Sequence, residues 1–315
     1  MLKKLVNEAY FTLRITATGP LLIKSGQPTI SGPDMTPVLT FRNGQREVFL
    51  PGSSLKGVFR SHLEKVICSL KPRVVCYPFS SSRDKEADIS QRQRDYRESC
   101  GAILQKEQVT STVYEKSCPA CRLFGSTAFI GRVAISDAYL VSPAAKEQRD
   151  GVGIDRLTGG ASHGAKFELE VVSAGASFET DIHLRNFEIW QLGMLFVVIQ
   201  DMEDELIRIG SGRSRGLGKV TASLSDEEHD GRPGGVVISS IRERAEPDNE
   251  LWGLGKWLGD DASYGTRKDD LLSLSRPVER TQRGIRSMRS FGGDDLSALR
   301  NASIEDFFQR ISNWQ

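Results

Sequence analysis

The chain has 315 residues, 38% hydrophobic and 26% charged, which suits one large globular domain or a core domain with insertions. Lys plus Arg is 42 and Asp plus Glu is 41, so a net charge of +1 exerts no global pull on a polyanion, and any nucleic-acid affinity must come from local basic clusters. No run of about 18 apolar residues occurs, which excludes a spanning helix. Met1–Val6 turns polar at Asn7 and Glu8, too soon for a leader, so a cytoplasmic chain is expected. In that compartment five cysteines point to metal rather than to disulfides.

Phe11, Leu13, Ile15 and Ala17 alternate with Thr12, Arg14, Thr16 and Thr18, the pattern of a half-buried strand. A loop rich in Gly, Pro and Ser follows from Gly26 to Pro37. Val48–Leu50 forms a short second strand, stopped by Pro51-Gly52. Ser53 or Ser54 then caps a helix whose apolar positions are Leu55, Val58, Phe59, Leu63, Val66, Ile67 and Leu70. Residues 71–117 show weak periodicity and many charges, especially Ser80–Glu98, and read as an insertion. Strand character returns at Arg132–Val141, and Asp150–His163 reads as a loop. Phe167, Leu169 and Val171 alternate with Lys166, Glu168 and Glu170; Phe178–Leu184 alternates likewise, and the two are expected to pair as a hairpin. A helix from about Glu188 to Ile209 leads into a glycine loop and a last strand, Lys219–Leu224. The expected fold is α+β, a ferredoxin-like (RRM-like) antiparallel sheet with helices on one face. Residues 226–315 read as an appendage with little core of its own, ending in a helix from Ile304 to Trp314.

Four groups of residues carry chemistry. Gly210-Ser-Gly-Arg-Ser-Arg-Gly-Leu-Gly-Lys219 lies between a helix and a strand, the reverse of a triphosphate loop. Its glycines allow close backbone approach and Arg213, Arg215 and Lys219 supply charge for an RNA backbone, although a flexible basic turn has the same composition. Gly52-Ser-Ser-Leu-Lys-Gly57 with Arg60 places hydroxyls, free N–H groups and two cations at a helix start, suited to an anion or merely to a capped, solvated helix. The expected fold puts it at the same sheet edge as the glycine loop. Cys118-Pro-Ala-Cys121 has the spacing of a metal knuckle, which Cys76 and Cys100 are expected to complete as a closed, structural four-thiolate zinc site, although unrelated reduced thiols have the same composition. Cys68 suits a buried helix position, and His62 is the rival fourth ligand. Asp34 is the only carboxylate between Glu8 and Glu47; on the residues alone it either caps a turn or holds a divalent metal beside the phosphate contacts.

The combination GSSLKG with Arg60, CPACRLFG, IDRLTGGASHGAKF and GSGRSRGLGKV, in that order from about residue 9 to 224, resembles the RAMP superfamily of CRISPR-associated proteins. More closely, it resembles the backbone subunit of type III RNA-targeting effector complexes. The resemblance implies a palm, a zinc-bearing insertion over about 71–130 and a thumb hairpin over about 142–180 within a core of residues 1–225. It implies copies or paralogues stacked head to tail, with other effector subunits, along a CRISPR guide RNA, each thumb (here Ile154–Phe167) pushing between guide and target RNA. Lys24, Ser53, Ser54, Lys56, Arg60, Arg156, Gly210, Gly212, Arg213, Arg215 and Lys219 would hold RNA. Asp34 would cut the target with Mg or Mn. A non-catalytic subunit of the same complex and a guide-processing endoribonuclease stand as alternatives; the latter needs acid–base residues, and the four histidines, at 62, 163, 183 and 229, lie away from the glycine loop in sequence.

Overall fold

The computed structural model describes residues 4–26, 32–79, 96–225, 234–241, 246–259 and 264–314. Most of the charged stretch expected between Ser80 and Glu98, and His229, lie outside them. The elements run in chain order as follows. Strand β1 (Asn7–Ala17) precedes the hairpin β2 (Leu39–Arg42) and β3 (Gln45–Leu50), then helix α1 (Gly52–Leu70). Short helices α2 (Cys100–Ile103), α3 (Thr110–Lys116) and α4 (Pro119–Phe124) follow. Next come the small strands β4 (Gly125–Ser126), β5 (Phe129–Ile130), β6 (Val133–Ile135) and β7 (Ala138–Leu140). Two long strands, β8 (Lys146–Ile154) and β9 (Ala161–Val172), lead to β10 (Ser177–Arg185), helix α5 (Ile189–Glu203) and β11 (Val220–Leu224). The C-terminal part holds β12 (Val236–Ile241), β13 (Glu250–Trp252), α6 (Leu254–Leu258), β14 (Leu271–Ser273), β15 (Arg280–Arg283), β16 (Arg286–Phe291) and α7 (Gly293–Ser312).

Ten of these strands form one antiparallel sheet in the order β15–β16–β12–β1–β10–β7–β3–β2, with β11 also on β1 and β6 on β10. The period-2 pattern of β1 explains its central place: Ala9, Phe11, Leu13, Ile15 and Ala17 are buried on the helix-covered face. Phe11 stacks on Phe196 of α5, their centroids 6.4 Å apart. Helix α5 is apolar on nearly all sides because it is covered on both, by the sheet and by α7. A side chain on its Gly193 would overlap the Ser303 carbonyl of α7, so only glycine allows this crossing.

Several expectations are corrected. Helix α1 starts at Gly52 after Pro51, with Ser53 and Ser54 inside its first turn and no side-chain cap. Helix α5 stops at Glu203, because the chain turns through Glu205 in the left-handed region at φ 56° before reaching Ile207 and Ile209. The strand ending at Val172 does not pair with β10. It pairs with β8, from Lys146 opposite Val172 to Ile154 opposite Ala161, while β10 pairs with β1. Alternation specifies which face is buried but not which strand is the neighbour. Accordingly the stretch expected as a loop at Asp150–His163 holds strand ends and only a short turn.

The segment after residue 225 does not stand apart as an appendage. Strand β12 covers the N-terminal half of β1, Ala9 opposite Ile238, where β11 covers only Leu13–Ala17. Val236, Phe291, Leu299, Phe307, Ile311 and Trp314 are buried in the main core. A polar contact set binds this segment to the rest. Asp270 accepts from Ile189 N at 2.9 Å, Leu254 N donates to Phe187 O at 2.7 Å, and the Arg122 guanidinium lies 4.5 Å from the Trp314 ring centre.

Candidate RNA-contact site and cysteine cluster

The glycine loop is shaped by contacts to the segment just after β1. Ser211 N donates to Leu22 O at 2.7 Å, Gly218 N to Pro20 O at 2.8 Å and Ile209 N to Gly218 O at 2.9 Å. Gly210 and Gly218 have φ of 79° and 81°, and a Cβ on either would overlap a carbonyl, that of Leu22 or of Ile209. Glycine is therefore required twice over, by conformation and by space. Left-handed Gly212 and Gly216 bracket a one-turn helix, Arg213–Arg215, which holds both arginines exposed to solvent. The Arg215 guanidinium lies 5.2 Å from the Phe167 ring centre, while Lys219 Nζ is 2.6 Å from a Glu205 carboxylate oxygen.

A second small core explains why distant motifs meet here. Leu22, Leu169, Val171 and Leu217 are buried together, with Met35 and Phe167 packed on them. They come from the loop after β1, the base of the β8–β9 hairpin, the glycine loop and the loop carrying Asp34. Met35 N donates to Glu168 O at 3.2 Å, Glu170 N to Met35 O at 2.9 Å, and Glu168 N to Asp34 Oδ2 at 2.8 Å. Asp34 is thus clamped to the hairpin base with an exposed carboxylate. Exposed Lys24 is joined to Pro37 in the same loop pair. At the far end of the hairpin the Asp155 carboxylate accepts from the N–H groups of Leu157 and Thr158, both at 2.8 Å, and from the Thr158 hydroxyl. Those bonds hold its pKa below the usual carboxylate range. The turn presents Arg156 in solvent and Leu157 97% exposed at the tip.

The start of α1 lies elsewhere. Phe49 faces Tyr139, which faces Glu179, which faces Arg14, three strands from β1 and short of its end. At about 4.8 Å per strand this is roughly 15 Å across the sheet from the glycine loop. The two basic motifs therefore do not share an edge. Gly52 N donates to Asp137 Oδ1 at 2.8 Å, and Lys56 Nζ donates to Val133 O at 3.2 Å. Burial, then the nearby Arg60 charge, lowers the Lys56 pKa. Ser53 is exposed and Ser54 half-buried. Arg60 donates to Glu64 Oε1 at 2.8 Å, Gly125 O at 3.0 Å and Cys121 Sγ at 3.4 Å, so it faces the cysteine cluster.

Cys76, Cys100, Cys118 and Cys121 are all buried, and their sulfurs lie within 4.8 Å of one another. Cys118 caps α4, and with Pro119 at its first position the turn brings Cys121 N within 3.4 Å of Cys118 Sγ. Cys118 N donates to Cys100 Sγ at 3.2 Å. Sulfurs on a tetrahedral ion with bonds of about 2.3 Å sit about 3.8 Å apart. Cys76 lies 3.5 Å from Cys121 and 3.7 Å from Cys118, so the four thiols fit a metal ion such as zinc. Burial opposes a charge on Cys118, but hydrogen bonds from Cys100, Cys121 and Cys76 outweigh it and hold this thiol well below its ordinary value. The contacts to Cys100 and Cys118 push the Cys121 thiol up. Cys68 is outside the cluster and half-buried, and His62 Nε2 sits 2.5 Å from Asp201 Oδ2, away from the metal position.

A family model described as the RAMP superfamily matches residues 14–221. The chain belongs to the RAMP superfamily. No curated protein matches it. The matched span of this RAMP protein takes in the glycine loop, Asp34, the hairpin and the four cysteines, and it supports an RNA-binding role in CRISPR effector complexes. Among the described residues, no helix is long and apolar enough to cross a membrane. Sequence reasoning missed two features of this RAMP protein. The Arg215–Phe167 pairing had no local signal, because its partners are 48 positions apart. The Arg60–Cys121 bond was hidden because a basic residue on a helix reads as solvated until its neighbour is known.

Proposed function

We propose that this RAMP protein is a guide-RNA-binding backbone subunit of a type III CRISPR effector complex and that it cuts bound target RNA at Asp34. The carrying observation is the small core that joins the Asp34 loop, the base of the β8–β9 hairpin and the glycine loop. Arg213, Arg215 and Lys24 would neutralise guide phosphates at that junction. The hairpin would act as the thumb, its fixed turn presenting Leu157 as an apolar wedge between guide and target. The strand order β11–β1–β10–β6/β7, with α1 and α5 on one face, supports a ferredoxin-like palm. Zinc on the four cysteines would fasten the insertion to α1. Copies stacked head to tail on the guide, in the cytoplasm, would repeat the same junction.

Asp34 fits a Mg or Mn site to which the RNA contributes. It is one exposed carboxylate whose position a backbone N–H fixes, and such ions take one or two carboxylates alongside phosphate oxygens. The ion would polarise the scissile phosphate. Asp34 itself would hold that ion and keep the target strand oriented at the hairpin base. Asp34→Ala, tested in the assembled complex, is expected to abolish target cutting and leave guide retention unchanged. Equal cutting by the variant would sink the catalytic role. The hydrogen bond from Glu168 N also suits a loop clamp without chemistry, and the same assay separates that structural subunit from the nuclease.

A further inference from the structure

The face of the sheet opposite the helices carries a second basic and aromatic patch. Along β1, Glu8, Tyr10, Thr12, Arg14 and Thr16 alternate with the core residues and point to this face. The register sets His183 of β10 and Val237 of β12 beside Tyr10, and Arg185 and Ser239 beside Glu8. Met288 of β16 continues the row, while Arg286 and Arg283 face one another on β16 and β15. Tyr10, His183, Met288, Arg283 and Arg286 line a groove of about 440 Å³. The Tyr10 and His183 rings meet edge-on with centroids 6.3 Å apart.

Charge on this face is uneven. Toward the glycine-loop end it closes on itself, Arg14 lying 2.7 Å from Glu179 and the Thr12 hydroxyl 2.8 Å from Asp181. At the groove, Glu8 is paired with Arg286 and lies 2.8 Å from His183, while Arg185 and Arg283 stand exposed nearby. Among the described residues, the Glu8 carboxylate thus faces three guanidinium groups. Rings recessed in a groove and flanked by arginines are what an unpaired base with its phosphates requires. Its volume falls in the range of small-ligand sites.

We propose that this groove is a second contact site for single-stranded RNA. It takes an unpaired base against Tyr10, His183 and Met288, and flanking phosphates at Arg185, Arg283 and Arg286. The proposal rests on the RNA-binding reading and adds a site that the glycine loop cannot supply. Tyr10 lies seven residues before Ala17, roughly 24 Å along the strand, so the two contacts engage different nucleotides. Val237, Arg283, Arg286 and Met288 also lie outside the family-matched span of residues 14–221.

The test uses the full chain with unstructured RNA carrying a photoactivatable uridine, comparing the wild type with Arg185→Glu/Arg283→Glu and Arg213→Glu/Arg215→Glu. Both pairs are exposed, and unchanged melting temperatures check that the variants fold. Cross-links to the peptides carrying Tyr10 or Met288 are expected. Arg185→Glu/Arg283→Glu should lose these together with roughly ten-fold in affinity, and its salt slope should fall by about 1.4, two phosphate contacts' worth. RNA that cross-links only at the glycine loop, with Arg185→Glu/Arg283→Glu binding normally, overturns this site and leaves the first reading standing. Absence of RNA binding by the wild-type chain overturns both. Normal RNA affinity with failed assembly onto other subunits reassigns the face to a protein contact and likewise overturns the proposal.

Discussion

Gly218 and Gly216 sit two residues apart, both with positive φ, and their surroundings give them different consequences. A methyl group on Gly218 would overlap the Ile209 carbonyl, whereas one on Gly216 would meet open space. Gly218→Ala therefore adds a steric clash to the left-handed strain and is expected to cost about 2–4 kcal/mol. Gly216→Ala carries the strain alone, about 1–2 kcal/mol. Urea unfolding of the two variants checks this; equal small losses would mean that the loop does not press on that backbone. The glycine spacing was readable in the residues, because repeated glycine beside arginine marks close backbone approach. Which glycine meets a carbonyl was not, since the opposing atoms come from Leu22 and, across the loop, Ile209.

At the scale of elements, the cysteine cluster fastens α2 and α4 to α1 through Cys121 and Arg60. Purified protein is expected to hold about one zinc per chain, and Cys118→Ser to lose it together with several kcal/mol of stability. Metal analysis and thermal melts check both; full stability in a strong chelator would show the thiols packing without an ion. Arg60, read from spacing as a phosphate contact, also stands as an outer partner to the cysteine cluster, 3.4 Å from Cys121 Sγ. The CxxC knuckle was legible because two thiolates on one turn need only local geometry. Cys76 and Cys100 were also named from the sequence as the completing pair, and the fold brings them to the knuckle across 42 and 18 positions. The β8–β9 hairpin taught the reverse lesson: β9 alternates visibly at Phe167, Leu169 and Val171, yet its partner depended on where β10 found β1.

At the scale of the whole molecule, the C-terminal segment supplies one side of the core. Trp314 packs edge-on against Trp190, their ring centres 5.5 Å apart, beneath the Arg122 and Arg310 guanidinium groups. Trp314→Ala is expected to cost about 3–5 kcal/mol, measured as a shift in denaturant midpoint, and a near-neutral result would return the segment to the rank of an appendage. Asp270, buried at the junction of this segment with α5, has its pKa pushed up to about 8 by burial and by the nearby Glu188. An unfolded aspartate titrates near pH 4. The folded state therefore binds the extra proton between those values, and stability from this group is full below about pH 4 and lost as pH rises to about 8. Melting temperatures across that window are expected to fall with rising pH, and Asp270→Asn to fall less steeply. Identical slopes would place the titration elsewhere.

Local chemistry was written in the sequence itself: the alternation of β1 and β10, the face of α1, the glycine loop and the CxxC turn each depend on residues within one turn or strand. Tertiary structure alone decided what those pieces meet. It brought Asp34, the hairpin base and the glycine loop onto one small core, separated the α1 terminus from them and turned Arg60 toward sulfur. It also drew β12 and β16 into the sheet and α7 into the core. The reason is physical: periodicity fixes the direction a side chain points, whereas its partner is set by which distant surfaces bury the most apolar area together.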